Sequence, residues 1–294
     1  MNGGNFKMKK ILSLALVLML AVTMFTGCGS KPAADEQKPN EEAGLTGKVV
    51  IAGSTSVQPL SDELAAAFKE KYPEVSVEVQ GGGSSVGVKS AIDKIVDIGA
   101  SSRELKEDEK AVGLKEYVIA KDGIAVAVNP SNSVEDLTME QIKKIFTGEI
   151  TNWKEIGGAD KPIVVVTREE GSGTRGAFIE ITKVEGKDAD GNTKDFTTST
   201  ALVQPSTGAV KQTVANTPDA IGYVSMGALD NTVKTVKVEG VEATEENAKA
   251  GSFKISRPFI YLTNGEESEV VKAFIEFVMN EGQEIVKEEY ISIK

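Results

Sequence analysis

The sequence predicts an α/β fold with a parallel sheet, because apolar strand-like runs alternate with helical patterns along the chain. Residues 47–52 are strand-like and a helical pattern follows them. That pattern places three apolar residues at four-residue spacing: Leu60, Leu64 and Phe68. The next strand alternates apolar with polar residues, at Val75, Val77 and Val79. The order strand, helix, strand is typical of α/β domains.

The same unit recurs further along the chain. A second helix is predicted after residue 83, with an apolar face made of Val88, Ala91, Ile92 and Ile95. Further strands are predicted at 163–166, 221–224 and 257–264, and helices at about 172–182, at 207–215 and at the C-terminus. The stretch 184–200 is polar and rich in Gly and Asp, which predicts a surface excursion.

Three loops rich in Gly, Ser and Thr stand between a predicted strand and a predicted helix. They are GSTSVQPL at 53–60, GGGSSVGV at 81–88 and TREEGSGTRGAF at 167–178. The start of a helix carries unpaired N–H groups and the positive end of the helix dipole, so it can bind an anion. In open α/β sheets such loops meet beyond the carboxyl ends of the strands. Three of them predict a site for one small tetrahedral anion.

Two arginines accompany the third loop. Arg168 fits bidentate pairing with an oxyanion, and the alternative for it is a surface salt bridge. Arg175 could touch the ligand or brace the protein, and its sequence position does not distinguish these roles. Ser54 and Thr55 could cap a helix without any ligand, since capping and anion binding use the same N–H groups. The coincidence of three loops favours a ligand.

Several enzyme classes do not fit the residues. The second loop resembles a nucleotide P-loop, but Val88 separates its last glycine from Lys89. Residues 83–87 match the G-x-S-x-G elbow of serine hydrolases, but the chain has no histidine to act as the base. No histidine and one cysteine also exclude ordinary zinc sites. Glu169 and Glu170 fit a partner for Arg168 better than a cation site, so no metal or cofactor is expected.

The N-terminus predicts export. Two lysines precede the apolar residues 11–25, which suit a signal peptide and are too short to span a membrane. This pattern favours Met8 as the biological start. Cys28, the only cysteine, follows small residues as in a bacterial lipoprotein processing site, and an incidental cysteine is the alternative. We therefore predict a lipoprotein signal peptide at 1–27, lipidation of Cys28 and a flexible linker at 28–46.

The net charge argues against polyanionic partners. Residues 1–27 hold three lysines and no acidic residue, so their removal changes the net charge from −11 to −14. So acidic a protein repels nucleic acid and anionic lipid. It also repels free phosphate at long range, so an anion site must act through local dipoles and an arginine.

Several motifs together carry a family resemblance. GSTSVQPL, GGGSSVGVK, DIGASSRE, LTMEQIKKIFTGEITNWKEIGG, REEGSGTR and AIGYVS occur in that order. They resemble the phosphate-binding protein family of bacterial high-affinity phosphate ABC transporters, from residue 47 to the C-terminus. The resemblance implies a type II periplasmic-binding-protein fold, with lobe I at 47–125 and 256–294 and lobe II at 126–255. It also implies a two-segment hinge near Ile124 and Pro258 that closes the lobes over the ligand.

The resemblance further implies a monomeric extracytoplasmic receptor that delivers phosphate to a permease and that a lipid anchors to the outer face of the cytoplasmic membrane, as in Gram-positive members. The phosphate ligands implied by matching positions are Thr55, Ser56, Ser84, Arg168, Ser172, Gly173 and Thr174. Ser54 and Arg175 are expected to support them, and Glu170 matches the acid that holds the arginine.

One position departs from the family pattern. Some members have an aspartate after GAS, where this chain has Ser102. A carboxylate there accepts a hydrogen bond from a protonated phosphate and repels fully ionised sulfate. A hydroxyl can either donate or accept a hydrogen bond. Ser102 is still a candidate ligand. One alternative is therefore a receptor for sulfate, molybdate or another oxyanion. Two further alternatives do not depend on Ser102: a phosphoester-processing enzyme and a surface lipoprotein without a ligand.

Overall fold

The computed structural model describes residues 44–294. The predicted signal peptide, Cys28 and most of the predicted linker lie outside the described residues. In the described part of the chain, no helix is both long and apolar enough to cross a membrane.

The described residues form twelve strands, nine α-helices and two short 3-10 helices, at Trp153–Ile156 and Met226–Ala228. The strands are β1 (Gly47–Gly53), β2 (Val75–Gly81), β3 (Ile98–Ser101), β4 (Lys115–Val128), β5 (Asp136–Leu137), β6 (Val164–Arg168), β7 (Glu185–Lys187), β8 (Thr193–Asp195), β9 (Leu202–Gln204), β10 (Ala220–Ser225), β11 (Lys234–Val238) and β12 (Ser256–Thr263). The helices are α1 (Gln58–Lys71), α2 (Ser84–Ile92), α3 (Glu107–Lys110), α4 (Met139–Thr147), α5 (Gly173–Ile181), α6 (Thr207–Asn216), α7 (Glu245–Lys249), α8 (Glu269–Met279) and α9 (Gln283–Glu289).

Ten strands form one curled sheet, with eight of them in the order β2-β1-β3-β12-β4-β10-β6-β9. β11 pairs with β4 and with β5, and β7 and β8 form a separate hairpin. β1 runs parallel to β2 and β3, and β6 runs parallel to β9 and β10. β4 and β12 are antiparallel to their neighbours in the middle of the sheet. The α/β fold is confirmed, but the sheet is mixed where the sequence predicted a parallel one.

β4 runs between two large hydrophobic cores. Its residues 115–123 pair with β12, and its residues 124–128 pair with β10. On one side the core contains Ile51, Leu64, Phe68, Phe259 and Phe274. On the other it contains Val126, Phe146, Trp153, Phe178 and Tyr223. The first core thus draws its buried residues from 49–120 and 259–290, and the second draws them from 124–255 together with Ile291.

Most predicted elements are present. α1 buries Leu60, Leu64 and Phe68 as predicted, and α5 at Gly173–Ile181 matches the helix predicted at about 172–182. The assignment of Ile95 to the apolar face of the second helix is wrong. α2 ends at Ile92, Lys94 has a positive φ of 55°, and Ile95 is 71% exposed. A left-handed residue cannot continue a right-handed helix, which turns Ile95 away from the core.

Helix α4 supports the region of the third loop. Thr138 caps it by accepting from the N–H of Gln141, and Gly148 ends it in the left-handed conformation. Its buried Phe146 packs edge-on against Phe178 of α5, with ring centroids 4.8 Å apart. Phe178 in turn stacks on Tyr223 at 4.1 Å. This aromatic cluster fixes α5 and β10 relative to each other.

Candidate anion-binding site

Four helix starts converge at one side of the sheet. β1, β2, β6 and β9 all end there, and each leads into a helix: α1, α2, α5 and α6. The three predicted Gly/Ser/Thr loops are among them. The loops touch each other directly, since the N–H of Ser85 donates to the carbonyl of Gly171 at 3.0 Å. Convergence of helix starts concentrates N–H donors and positive dipole ends in one place.

Hydroxyl groups from distant parts of the chain meet between these helix starts. Ser56 Oγ lies 2.8 Å from Thr174 Oγ1 and 2.9 Å from Thr207 Oγ1. All three side chains are buried. Ser56 belongs to the first loop, Thr174 to the third, and Thr207 to the start of α6. A hydroxyl can donate or accept, so this cluster can present donors to an oxyanion.

Arg168 brings the positive charge to this cluster. It is the last residue of β6 and only 1% exposed. Its Nη1 donates to Thr207 Oγ1 and its Nη2 to Thr55 Oγ1, each at 3.1 Å. Its backbone N–H donates to the hydroxyl of Tyr223 at 3.2 Å. Burial raises the pKa of Tyr223 to about 12, so this anchor stays neutral. The guanidinium is thus aimed at hydroxyls of both the first loop and α6.

The partner of Arg168 is Glu169, and the prediction of Glu170 for this role is wrong. Arg168 Nε and Nη2 donate to the two carboxylate oxygens of Glu169, both at 2.8 Å. Glu170 is exposed. It precedes Gly171, whose φ of +90° turns the chain toward Ser172 and α5. The bidentate pair fixes the plane of the guanidinium.

Ser102 joins the first two loops. Its Oγ accepts from Ser54 Oγ at 2.8 Å and lies 3.3 Å from Ser84 Oγ, and its N–H donates to Ser84 Oγ at 3.0 Å. An added Cβ on Gly173 would lie 2.2 Å from Ser84 Oγ and 2.7 Å from Ser102 Oγ. Only glycine therefore lets the start of α5 approach these hydroxyls. Ser102 therefore lies beside the start of α5, and its role as a ligand stays a prediction.

A second buried arginine stands behind Ser102. Arg257 Nη1 donates to Ser102 Oγ at 3.1 Å and to the Ser102 carbonyl at 3.2 Å. Arg257 also pairs with Asp122 at 3.0 Å, and their side chains are 1% and 0% exposed. Burial raises the pKa of Asp122, and the charge and hydrogen bonds of Arg257 oppose that shift. The pair lies where β12 crosses β4, since Arg257 and Asp122 are partners in the strand register.

Arg175 contacts protein groups around Arg168. Its Nη1 donates to the Arg168 carbonyl at 2.7 Å, and its Nε donates to Asp195 at 2.8 Å. Burial alone would raise the pKa of Asp195, but hydrogen bonds from Thr197 and the nearby Arg175 charge lower it overall. These contacts tie α5 to the β7–β8 hairpin and to the end of β6.

Residues at the start of α5 complete the donor set. Ser172 caps the helix by accepting from the N–H of Arg175 at 3.2 Å. Gly173 and Thr174 occupy the first positions of α5, so their backbone N–H groups have no partner within the helix. Among residues 44–294, no cluster of three or more His, Cys, Asp or Glu side chains could hold a metal ion. The arrangement suits binding of an oxyanion by hydrogen bonds and one guanidinium.

Sequence reasoning missed three residues of this region. Thr207 contacts Thr55, Ser56 and Arg168, and its segment Ser206-Thr207-Gly208 repeats the small polar pattern of the other loops. That signal could have identified it. Arg257 and Asp122 gave no comparable signal, because 135 residues separate them in the chain.

Comparison with known proteins agrees with the fold. Residues 38–281 match the family model of the PBP superfamily domain. The phosphate-binding protein PstS of Bacillus subtilis is 35% identical over 276 residues, which cover 91% of this chain and 89% of that protein. PstS of Borreliella burgdorferi is 30% identical, with 98% and 100% of the two chains covered.

A solved structure is similar over most of the described residues. It is that of a putative phosphate ABC transporter substrate-binding protein from Clostridium perfringens with bound phosphate. It is 48% identical and superposes with a TM-score of 0.79, covering 84% of this chain and all of that one. The chain therefore belongs to the PBP superfamily and, within it, to the family of the phosphate-binding proteins PstS.

Proposed function

We propose that this protein is an extracytoplasmic solute-binding protein that captures inorganic phosphate at the candidate site and delivers it to the permease of an ABC transporter. The observation that carries the proposal is the position of Arg168, buried among hydroxyls from both lobes. The similar proteins support it, since they are described as phosphate-binding proteins and one holds phosphate. The one that holds phosphate is described as the substrate-binding protein of an ABC transporter, so we infer a receptor and not an enzyme.

The donor set suits a tetrahedral oxyanion. A planar guanidinium can donate to two oxygens of one phosphate, and helix starts supply N–H groups for the others. In this proposal the phosphate ligands are Thr55, Ser56, Ser84, Ser102, Arg168, Ser172, Gly173 and Thr174, with Thr207 added. Glu169 holds the guanidinium in plane, while Ser54 and Arg175 brace the loops.

The division into lobes at 47–125 with 256–294 and at 126–255 is part of the proposal. The composition of the two cores supports it, since Ile255 packs in one and Phe259 in the other, and Ile291 alone departs from the division by packing with Ile255. The hinge then lies where β4 and β12 pass between the cores, near Ile124 and Pro258. Because ligand contacts come from both lobes, phosphate binds the closed arrangement best and shifts the population toward it.

The anchoring also belongs to the proposal. Lipidation of Cys28 would tether a monomeric receptor to the outer face of the cytoplasmic membrane, as in a Gram-positive lipoprotein. Mass spectrometry of the native protein tests this. A lipid-modified Cys28 at the new N-terminus supports the anchor, and an unmodified chain or a different cleavage point contradicts it.

The test of binding is calorimetric titration of the purified protein, stripped of carried-over ligand, with phosphate and then with sulfate. Tight binding of phosphate is the expected result. Because Ser102 replaces the family aspartate, comparable binding of sulfate would make the protein a general oxyanion receptor. The absence of measurable binding of both phosphate and sulfate would contradict the proposal.

A further inference from the structure

The hydrogen bonds of Ser102 restrict what this residue can offer a ligand. Its Oγ accepts from Ser54 Oγ at 2.8 Å and from Arg257 Nη1 at 3.1 Å. A serine hydroxyl has two acceptor lone pairs and one proton. Both acceptor positions are therefore taken, and the proton is what remains.

Neither neighbour can reverse its bond to Ser102. Arg257 has donors only and keeps its charge in proteins. Ser54 Oγ already accepts from the N–H groups of Ser56 and Val57, at 3.2 and 3.4 Å. Its proton is therefore directed at Ser102. The hydroxyl of Ser102 cannot turn around to accept a proton from a ligand unless one of these bonds breaks.

The proton of Ser102 lies in the candidate site. Because both acceptor positions of Ser102 are taken, Ser102 is the donor in its 3.3 Å contact with Ser84 Oγ. Both oxygens lie within 2.7 Å of the point that a Cβ on Gly173 would occupy, at the start of α5. Ser102 itself is fully buried. An oxyanion held at the start of α5 would therefore replace Ser84 Oγ, at the long distance of 3.3 Å, as the acceptor of this O–H group.

Arg257 is held rigidly enough to impose this orientation. Its Nε and Nη2 both donate to Asp122 Oδ2, at 3.3 and 3.0 Å. Its Nη1 is thereby aimed at the Oγ and the carbonyl of Ser102. The guanidinium also lies over the ring of Phe259, 5.4 Å from the centroid. A buried pair of this kind changes geometry only at a large cost in free energy.

We propose that Arg257 is a positioning residue that holds Ser102 as a hydrogen-bond donor, so that the site favours the most ionised form of its ligand. This inference rests on the proposed function and specifies the form of phosphate bound. Dihydrogenphosphate carries two protons that need acceptors, whereas hydrogenphosphate carries one and sulfate carries none. The site therefore prefers hydrogenphosphate to dihydrogenphosphate and admits sulfate.

The charged groups around Ser102 are arranged in pairs. Arg257 faces it from β12 with Asp122 of β4, and Arg168 stands across the site with Glu169. The adjacent Arg103 is paired with Glu109 at 2.7 Å and reaches Ser85 at 3.4 Å. The chain has no histidine, so few protein groups titrate between about pH 6 and about pH 8. A change of affinity over that range reports mainly the ionisation of phosphate.

The experiment compares the unaltered protein with Ser102→Ala, Arg257→Lys and the double variant. The dissociation constants of phosphate and of sulfate are each measured at about pH 6 and at about pH 8. Lysine keeps a positive charge beside Asp122 but lacks the fork that reaches Ser102. Thermal unfolding without ligand identifies variants that do not fold.

We expect the unaltered protein to bind phosphate more tightly at the higher pH. Ser102→Ala should raise the dissociation constants of phosphate and of sulfate about tenfold. Arg257→Lys frees Ser102 to accept, so it should weaken sulfate binding and reduce the preference for high pH. The double variant should bind like Ser102→Ala alone, since Arg257 acts through Ser102.

A purely structural role for Arg257 gives a different result. Arg257→Lys would then lower the melting temperature but leave the pH profile and the ratio of phosphate to sulfate affinity unchanged. That outcome, or independent additive effects of the two substitutions, overturns the inference while phosphate binding itself persists. Failure of the unaltered protein to bind phosphate at either pH would instead overturn the proposed function.

A second variant gives an independent check. Ser102→Asp places a carboxylate acceptor beside Arg257, where the buried guanidinium would keep it ionised. It should abolish sulfate binding and shift the phosphate preference toward the protonated form. Unchanged sulfate affinity in this variant would show that residue 102 does not face the ligand.

Discussion

Arg168 and Arg257 are both buried, but their charges are balanced in different ways. Arg168 pairs with Glu169, a neighbour in sequence whose side chain is 26% exposed, and its Nη atoms contact hydroxyls. Arg257 pairs with Asp122, which is wholly buried and lies in another strand. The first arginine keeps donors directed at groups that a ligand can replace, and the second is bound to the framework.

The difference separates ligand binding from scaffold. Bonds from Arg168 to Thr55 and Thr207 can be exchanged for bonds to an anion at little net cost, because one set of hydrogen bonds replaces another. Loss of Arg257 would leave the carboxyl of Asp122 buried without its partner, which is strongly destabilising. Substitutions at the two arginines should therefore affect different observables.

The largest effect is expected for the framework arginine. Arg257→Met leaves Asp122 buried without a counter-charge and should lower the free energy of unfolding by about 3–5 kcal/mol. Urea unfolding at neutral pH measures this. The double variant Asp122→Leu with Arg257→Met removes both charges and should recover much of the loss. Equal stability of Arg257→Met and the unaltered protein would contradict the scaffold role.

The next largest effect is expected at the ligand-facing arginine. Arg168→Ala removes the charge from the hydroxyl cluster and should weaken phosphate binding about a hundredfold or more. Calorimetric titration measures it, with Arg168→Lys as the matched variant that keeps charge but not the bidentate fork. The phosphate affinity of Arg168→Lys should lie between that of the unaltered protein and that of Arg168→Ala. If Arg168→Ala binds phosphate normally, the assignment of the two arginines is wrong.

Thr207→Val tests the hydroxyl that sequence reasoning missed. Valine has nearly the same shape but leaves Arg168 Nη1 and Ser56 Oγ without this partner. Phosphate affinity should fall about tenfold. Thr207→Ser keeps the hydroxyl and serves as the control, with affinity close to that of the unaltered protein. Loss of affinity in Thr207→Ser equal to that in Thr207→Val would indicate a packing effect.

The smallest effect is expected for Arg175→Ala. Arg175 contacts the Arg168 carbonyl and Asp195 and lies at the periphery of the hydroxyl cluster. Loss of such a partly exposed pair costs about 1 kcal/mol or less of stability. The phosphate dissociation constant should change only about threefold. Affinities of Arg175→Ala and Arg168→Ala that are equally weak would show that both arginines bind the ligand.

The sequence predicted those parts of the site that depend on local pattern. Small polar residues at helix starts identified the three loops, because glycine, capping residues and short strands are local features. The partner of Arg168 was placed one residue too far along the chain. Glu170 was taken from the family resemblance, and the adjacent Glu169 and Glu170 give no local signal that distinguishes them. The structure distinguishes them because β6 ends at Arg168 and only Glu169 bonds to the guanidinium.

The remaining features depend on contacts between distant segments. Arg257 meets Asp122 only because β12 crosses β4 in a particular register, which no local spacing encodes. The β7–β8 hairpin was also missed, since its strands have three residues each and almost no apolar side chain. Hydrophobic periodicity, the main signal for strands, is absent there.

The most direct test of the account is a crystal structure of this protein grown with phosphate. We predict phosphate at the start of α5, with two oxygens bonded to Arg168 and one to Ser102 Oγ. Thr207 should contact the ion or Arg168, and Arg257 should remain paired with Asp122. Phosphate bonded directly to Arg257, or bound away from Arg168, would contradict the division between the ligand-binding and the framework arginine.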